Sequence, residues 1–465
     1  MKGILFTALF QIIVSSSFST VFEVGSGKMF DSPAKVINLV KDGDTVLIDD
    51  GLYQEEGTWT KNNLLIRGVS KFVHMQAPAV ISNEKAIWVI AGNDNRIENI
   101  EFSGAKVPDK NGAGIRFEGT NLTVSHCYFH NCEDGILTGK NTSSTITIEY
   151  TEFAYCGYGD GYSHNLYIGN NGKLIFRFNY SHHAKSGHCL KSRANENYIY
   201  YNRIMDENDG NSSYLINLPN GGKSYIFANS LMQGPLAENR VMIDYGSEGY
   251  SNPENNLYVF NNTLINKRNP GNYIRTASGL KLVQIINNIF AGFSAVASDA
   301  IPSFADTSNN FRSENISSLF LLDEPNFDYH LTANSPVIDK GLSLGNEAML
   351  FSEYKHKCDS AYIEFDNITD IGAYQYAKQA SIYNEANNLI KVTATNNLLT
   401  VKNLEDTYSE CVLDIYNLTG DKEISFKVDI HEEKIAADIT VLPKGCYIFR
   451  IKCYNKQYTG KLIKY

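Results

Sequence analysis

The sequence is short of several things that would place it quickly. Only 11 of its 465 residues are proline, which argues against a chain dominated by linkers. There is no heptad pattern, so helical solenoids are disfavoured. After the first 20 residues no apolar run approaches the ~20 residues needed to cross a bilayer, and no transmembrane segment is expected. Positive charge is the minority sign, with 41 Lys and Arg against 51 Asp and Glu and a formal net charge of −10. A nucleic-acid partner is therefore not expected. A hydrophobic fraction of 43% and a charged fraction of 20% are globular values and exclude wholesale disorder.

What is abundant points to strands and turns: 29 Tyr, 24 Phe and 35 Gly, with many Asn. The first residues, MKGILFTALFQIIVSSSFST, read as a secretory signal peptide over residues 1–20, with a lysine, a short apolar run and then small residues. Export makes disulfides possible for the eight cysteines. Cys411, Cys446 and Cys453 are candidates for local pairing, whereas Cys132 and Cys156 read at least as well as buried free thiols.

An internal repeat organises the chain. The segments IENIEF (97–102), VSHCYF (124–129), IEYTEF (148–153), IFRFNY (175–180), IYYNRI (199–204), IFANSL (226–231), VFNNTL (259–264) and IINNIF (285–290) each open on a β-branched residue and close on a large apolar one. Their closing positions step by 27, 24, 27, 24, 27, 33 and 26 residues. Such a step is too long for a hairpin repeat and fits one coil of a right-handed parallel β-helix. The Asn-Asn pairs 261–262 and 287–288 suit stacked turns, and the sequon at Asn261 reads as turn chemistry. Residues 43–68 form an opening coil, and SPVIDKG (335–341) and DIGAYQY (370–376) read as the last ones. After a linker at 377–388, residues 389–465 alternate strand-like runs and turns at the spacing of a small antiparallel β-sandwich. The expected fold is all-β, with a right-handed parallel β-helix catalytic domain over 21–376 followed by the small antiparallel β-sandwich.

Residues 164–193 hold four of the ten histidines together with Lys173, Arg177, Lys185, Lys191 and Arg193. Residues at equal distance from a coil's close should stack at the ~4.8 Å strand spacing. Thirteen positions before the close lie Arg116, Lys140, Tyr167 and Lys191; eleven before lie Glu118, Thr142, Gly169, Arg193 and Asn220. Alternation puts both sets on one outward face. Like charges on adjacent strands repel by up to ~1 kcal/mol per pair, and an anion bound across them removes that cost. His164 and His188 share an offset, and His182 and His183 follow Tyr180. An imidazole takes up a proton near neutral pH, and a tyrosine hydroxyl donates or accepts one.

The GDTVLIDDGLY opening, the coil repeat and the SPVIDKG…DIGAYQY ending resemble secreted parallel β-helix lyases of the chondroitinase B and alginate lyase type, over roughly residues 22–376. The segments LDIYNLTGDKEI, ADITVLPKGCYIFRI and GKLIKY resemble the sorting domain of type IX secretion. The resemblance implies a secreted or surface polysaccharide lyase that cleaves a uronate-containing glycan, sulfated or unsulfated, such as a glycosaminoglycan or alginate, with the type IX machinery as a partner. One departure stands out. The lyase pattern's lysine position, nine before Asn202, holds Arg193 here, with Lys191 two earlier, and no arginine stands near 218–220.

Lys191, Arg193, His188, Tyr167 and His164 are thus the candidate catalytic residues. Lys140, Arg116, His182, His183, Lys185, Asn165, Asn220 and Glu248 are the candidate substrate contacts. No metal ligand is assigned. Asp134, Asp160, Asp206, Glu207, Asp209 and Glu248 keep open a glycosidase carboxylate pair or Ca2+ as a cofactor, although DENDG (206–210) reads more simply as a turn. A Cys132/Cys156/His183 metal site lacks a fourth ligand. The insertion GPLAENRVMIDYGSEGY (234–250) is a candidate loop over the groove. A monomer is expected. A glycoside hydrolase and a non-catalytic glycan-binding surface protein remain the alternatives, because a fold does not fix a function.

Overall fold

The computed structural model describes residues 19–376 apart from 71–72, 299–304, 345–349, 351 and 363–368, and 391–464 apart from 395–397, 403–410, 418–419, 429–433, 444 and 454–455. Most of the expected signal peptide and the whole expected linker lie outside the described residues. The chain divides into two compact units.

The first unit is a right-handed parallel β-helix of about ten turns. Each coil crosses three walls. The first wall is an eleven-stranded parallel sheet running from Val21–Val24 to Leu282–Ile286. The second starts at Gly51–Gln54 and ends at Phe311–Ser313, and the third starts at Gly57–Trp59. Among the described residues no helix is long and apolar enough to cross a membrane.

Stacking makes the core. Each wall strand sends alternate side chains inward, so like residues from successive coils meet. Phe102, Phe129 and Phe153 stack with ring centroids 5.0 and 5.1 Å apart, and Ile115, Ile136, Leu166, Leu190, Ile216, Ile243 and Ile274 line the third wall with no exposed surface. Burying one such side chain contributes roughly 1.5–3 kcal/mol. The turn from first to second wall uses a left-handed residue in coil after coil, among them Asn99, His126, Tyr150, Phe178, Tyr201, Ala228, Asn261 and Asn287. Beside it runs an asparagine ladder. The backbone N–H of Asn179, Asn202, Asn229, Asn262 and Asn288 each donates to the side-chain Oδ1 of the next rung at 2.9–3.0 Å, ending on Asn310. The ladder satisfies buried amides that would otherwise cost about 1–3 kcal/mol each. Asn261 is itself buried, with its amide on the Asp370 carbonyl.

The ladder also corrects one register. In every later coil the asparagine stands two residues before the close, so the coil containing Asn179 closes on Ser181, not Tyr180. The pairings Glu152 with Tyr180 and Phe153 with Ser181 show this directly. Ala184, not His183, therefore continues the column of Cys132 and Cys156. His183 instead takes the left-handed position of Asn131 and Tyr155. All three members of that column are buried, both thiols are free, and the cysteine–histidine metal site does not form.

The end of the helix also differs from expectation. Phe311–Ser313 is the last paired rung, and residues 335–340 form turns rather than a strand. Asp370–Tyr374 packs as an irregular strip, with Gly372 N–H on Asn287 O and Ala373 N–H on Thr263 Oγ1.

The second unit holds two antiparallel sheets, one of three strands (Lys391–Ala394, Leu398–Lys402, Lys434–Asp438) and one of four (Lys422–Val428, Cys411–Tyr416, Gly445–Cys453, Lys456–Lys464). Leu399, Leu413, Ile415, Ile435, Phe449 and Ile451 form its core. Cys411 is disulfide-bonded.

Candidate functional site

The third wall carries the candidate residues on its outer side. Its outward column reads Val89, Arg116, Leu137, Tyr167, Lys191, Asn217, Asp244 and Arg275 in successive coils. Tyr167 and Lys191 are direct partners. Lys140 is not in the column: it is exposed in the two-residue connection between the strands Asp134–Thr138 and Asn141–Glu149, the second of which carries a register shift between Asn141 and Thr145, and Leu137 stands in its place. The column is thus not the run of like charges that the repeat spacing suggested. Around Arg116 its early part is otherwise apolar, with Ala86, Val89, Ala113 and Leu137 packing together against Tyr167.

Arg193, two residues beyond Lys191 and just past the strand Leu190–Ser192, is held on three sides. Its Nε–H donates to the Tyr167 hydroxyl at 2.8 Å, and both Nη atoms donate to Glu248 at 2.7 and 2.9 Å. Nη1 also donates to Asn220 Oδ1. Glu248 is half exposed and its carboxyl is held below the usual range by the hydrogen bonds from Arg193. The insertion contributes in two pieces: Val241–Tyr245 is an ordinary wall strand, and the turn after it brings Glu248 to Arg193.

Lys191 differs from its neighbours. Among the described residues its ammonium has no hydrogen bond or carboxylate within ion-pair distance, only the face of the Tyr167 ring at 4.9 Å to the centroid. Burial and the adjacent Arg193 charge push its pKa below the ordinary lysine value. Farther along, Arg275 donates to the fully buried Asp244 at 2.6 Å and to the Tyr214 hydroxyl at 3.0 Å, while Asn217 donates to Asp244 at 2.6 Å. Asn217, Tyr214, Asp244 and Arg275 were missed in the sequence, yet the same column, read past Lys191, contains three of them.

The histidines go elsewhere. His164 and His188 stack at 4.4 Å, as equal offsets implied, but both are buried. His188 N–H donates to His164 Nδ1 and Tyr214 N–H to His188 Nδ1. Burial, with the Lys191 and Arg193 charges, lowers the His188 pKa to about 3 and that of His164 well below its ordinary value. Both rings are buried beneath the outer face and are not reachable by a polymer. Asn165 is buried too, capping Cys156 N–H and donating to His182 O. Lys185 is exposed in a turn away from the column.

His182 and His183 lie on the second wall and the turn after it. Glu152, His182, His183 and Asp209 form one hydrogen-bonded chain with links of 3.1, 2.6 and 3.0 Å. Lys357 also reaches Glu152, at 2.5 Å. The other acidic candidates are similarly engaged. Asp134 accepts from His164 N–H, Glu207 accepts from Tyr180, and Asp160 accepts from Tyr162 N–H. Buried Asp206 accepts from Ser212, and burial raises its pKa to about 6. Among the described residues no three of these acids bring ligand atoms together, so they supply no assembled Ca2+ cage. A depression of about 340 Å³ lined by Thr142, Lys173, Glu196, Lys223 and Glu254 is less suited to an anion, because Lys173 and Lys223 face Glu196 and Glu254 at 3.1 and 3.9 Å.

Comparison with known proteins adds the following. Residues 62–163 match the right-handed beta helix region family, and no curated protein matches the chain. Among solved structures, the pectate lyase Pel9A is 15% identical with a TM-score of 0.53, covering 78% of this chain and 97% of its own. A pectin methylesterase from Aspergillus niger (12% identical, 65% and 89% covered, TM-score 0.32) and the pectin methylesterase PemA from Erwinia chrysanthemi (10%, 68% and 99%, 0.33) are more distant. At these identities the likeness to Pel9A is one of fold. Residues 380–465 match the secretion system C-terminal sorting domain, of the type IX kind that the sequence resembles, and the protein is accordingly exported, to the cell surface or beyond it.

Proposed function

We propose that the protein is a polysaccharide lyase that cleaves a uronate-containing glycan by β-elimination at the outer face of the third wall. The observation that carries this reading is Lys191, a cation with no carboxylate partner among the described residues and a lowered pKa, beside a tyrosine whose hydroxyl oxygen is already occupied by Arg193. A neutral Lys191 amine removes the C5 proton. The electron pair becomes the C4–C5 double bond as the C4–O4 bond breaks, and Tyr167, whose own hydroxyl hydrogen remains to donate, protonates O4. Lys191 then returns the proton to Tyr167, so the net transfer is from C5 to O4.

Charge accumulates on the uronate carboxylate as C5 loses its proton, and stabilising it is the largest requirement of the reaction. Arg193 supplies that charge. Glu248, on an exposed turn, occupies the guanidinium in the free protein as a stand-in for the substrate carboxylate, in the paired geometry that arginine offers a carboxylate. The fold shared with Pel9A supports a lyase, and pectate is one member of the substrate class. Chondroitinase-like or alginate-like specificity rests on the sequence resemblance alone.

The test is a screen of pectate, alginate, glycosaminoglycans and glucuronan for ultraviolet absorbance from an unsaturated uronate. One of these should yield it. New reducing ends without that absorbance would replace the proposal with a hydrolase. Retention on an anionic glycan with neither signal would replace it with a binding protein.

A further inference from the structure

The second wall presents a different chemistry near its early coils. His74 and Glu101 are direct partners in adjacent coils, and His130 follows one coil later, paired across the strand with Ser103. Glu101 Oε1 lies 2.8 Å from His130 Nε2 and 3.5 Å from His74 Nε2, and the three ligand atoms all lie within 4.8 Å of one another. The side chains are 25%, 29% and 17% exposed for His74, Glu101 and His130, so solvent and ions reach them.

We propose that His74, Glu101 and His130 bind a first-row divalent cation of the zinc class. The separations favour it. Around an ion held at ~2.0–2.1 Å, tetrahedral ligands stand about 3.3 Å apart, and the carboxylate oxygen already sits near that distance from both imidazoles. Two imidazole nitrogens with one carboxylate suit zinc and its neighbours, whereas Ca2+ takes six to eight oxygens.

The surroundings fix the ligands. The His130 ring stacks on Tyr128 at 4.4 Å, and its Nδ1 lies 2.9 Å from the Asn131 amide, leaving Nε2 toward Glu101. His74 Nε2 also lies 2.7 Å from Ser103 Oγ, a nearby oxygen beside the open side of the triad. Three protein ligands with a position left for water is the pattern of an accessible zinc site rather than a closed structural one. The ion would join three successive coils of the same wall. It is a site separate from Lys191, and nothing in the proposed elimination depends on it.

The experiment uses the full chain, stripped with EDTA and titrated with Zn2+ in a calorimeter, and with Co2+ in a spectrophotometer. One equivalent of Zn2+ is expected, with a visible Co2+ d–d band stronger than that of the hydrated ion. His130→Gln and Glu101→Gln should each weaken Zn2+ binding by at least about 10–100-fold, and His182→Gln, on the same wall but outside the triad, should not. Circular dichroism checks that each variant folds. If the glutamine variants fail to fold, wild-type stoichiometry and the Co2+ spectrum decide alone. No uptake by the wild type, a Co2+ spectrum like that of the hydrated ion, or unchanged affinity in both folded triad variants would overturn the proposal.

Discussion

On the second wall the imidazoles have carboxylates: His74 and His130 share Glu101, His182 has Glu152, and His183 at the following turn has Asp209. On the third wall, Arg193 and Arg275 are matched by Glu248 and Asp244, while Lys191 is left against an aromatic ring. Both walls come from the same repeat and the same alternation of inward and outward side chains. The difference shows that a cluster of charged residues is a weak indicator of chemistry in a β-helix, because stacking neutralises most of it. The informative residue is the one that stacking leaves unmatched.

The largest effect that separates the walls is on turnover. Lys191→Ala should lower kcat on the substrate found by the screen by about 10²–10⁴-fold, while His182→Gln leaves it unchanged; equal losses in both would erase the distinction. Tyr167→Phe, which keeps the ring under Lys191 and removes only the hydroxyl, should cost about 10²-fold in kcat with little change in KM. An unaltered kcat would remove Tyr167 from the role of acid.

The pH profile sharpens the comparison further. Since the neutral amine is the active form, kcat/KM should rise with pH through the Lys191 pKa, with the midpoint below the ordinary 10.5. The Glu248 charge raises that pKa, so Glu248→Gln should move the limb to still lower pH. A limb that stays in place would sever Lys191 from the profile.

The smallest effect is on stability, and its sign differs between two cationic groups. Lys191 has a lowered folded pKa, so its protonated form disfavours the fold below 10.5. Lys191→Met should therefore raise the melting temperature at neutral pH, a gain of stability at the expense of activity. His330 behaves oppositely. Burial works against its charge, but Asp328 and Glu353 at 2.5 and 3.5 Å prevail and raise its pKa to about 9. Its stabilisation is complete below 6.5 and is lost as the pH rises through about 9. His330→Gln should lower the melting temperature at pH 6 and not at pH 10, as thermal denaturation at the two pH values would show.

Much of the helix was legible because each coil must bury the same face against the last. The eight closing segments gave seven closing positions correctly, and the eighth, at Tyr180, was displaced by one residue because its close is a serine and carries no apolar signal. Asn179 marked the true register through the asparagine ladder. The third-wall pair Tyr167 and Lys191 came out of equal spacing because the one-residue error at Tyr180 offset a one-residue difference in the connecting turns, whereas Lys140 was misplaced because turns between walls vary in length without disturbing the strands. The metal triad had a signal that was not used: Glu101 lies one residue before a closing Phe and His130 one residue after the next, both outward by alternation.

The sequence by itself determined the solenoid, its asparagine turns, the C-terminal sandwich and the outward placement of Lys191 beside Tyr167, since these follow from periodicity and nearest-neighbour stacking. Only the tertiary structure decided which of the charges are free. Whether Glu248 reaches Arg193 across 55 residues, whether His164 and His188 are accessible or sealed, and whether Lys191 keeps a full charge depend on burial and on contacts between turns of unequal length. Those quantities have no period, so no repeat could announce them.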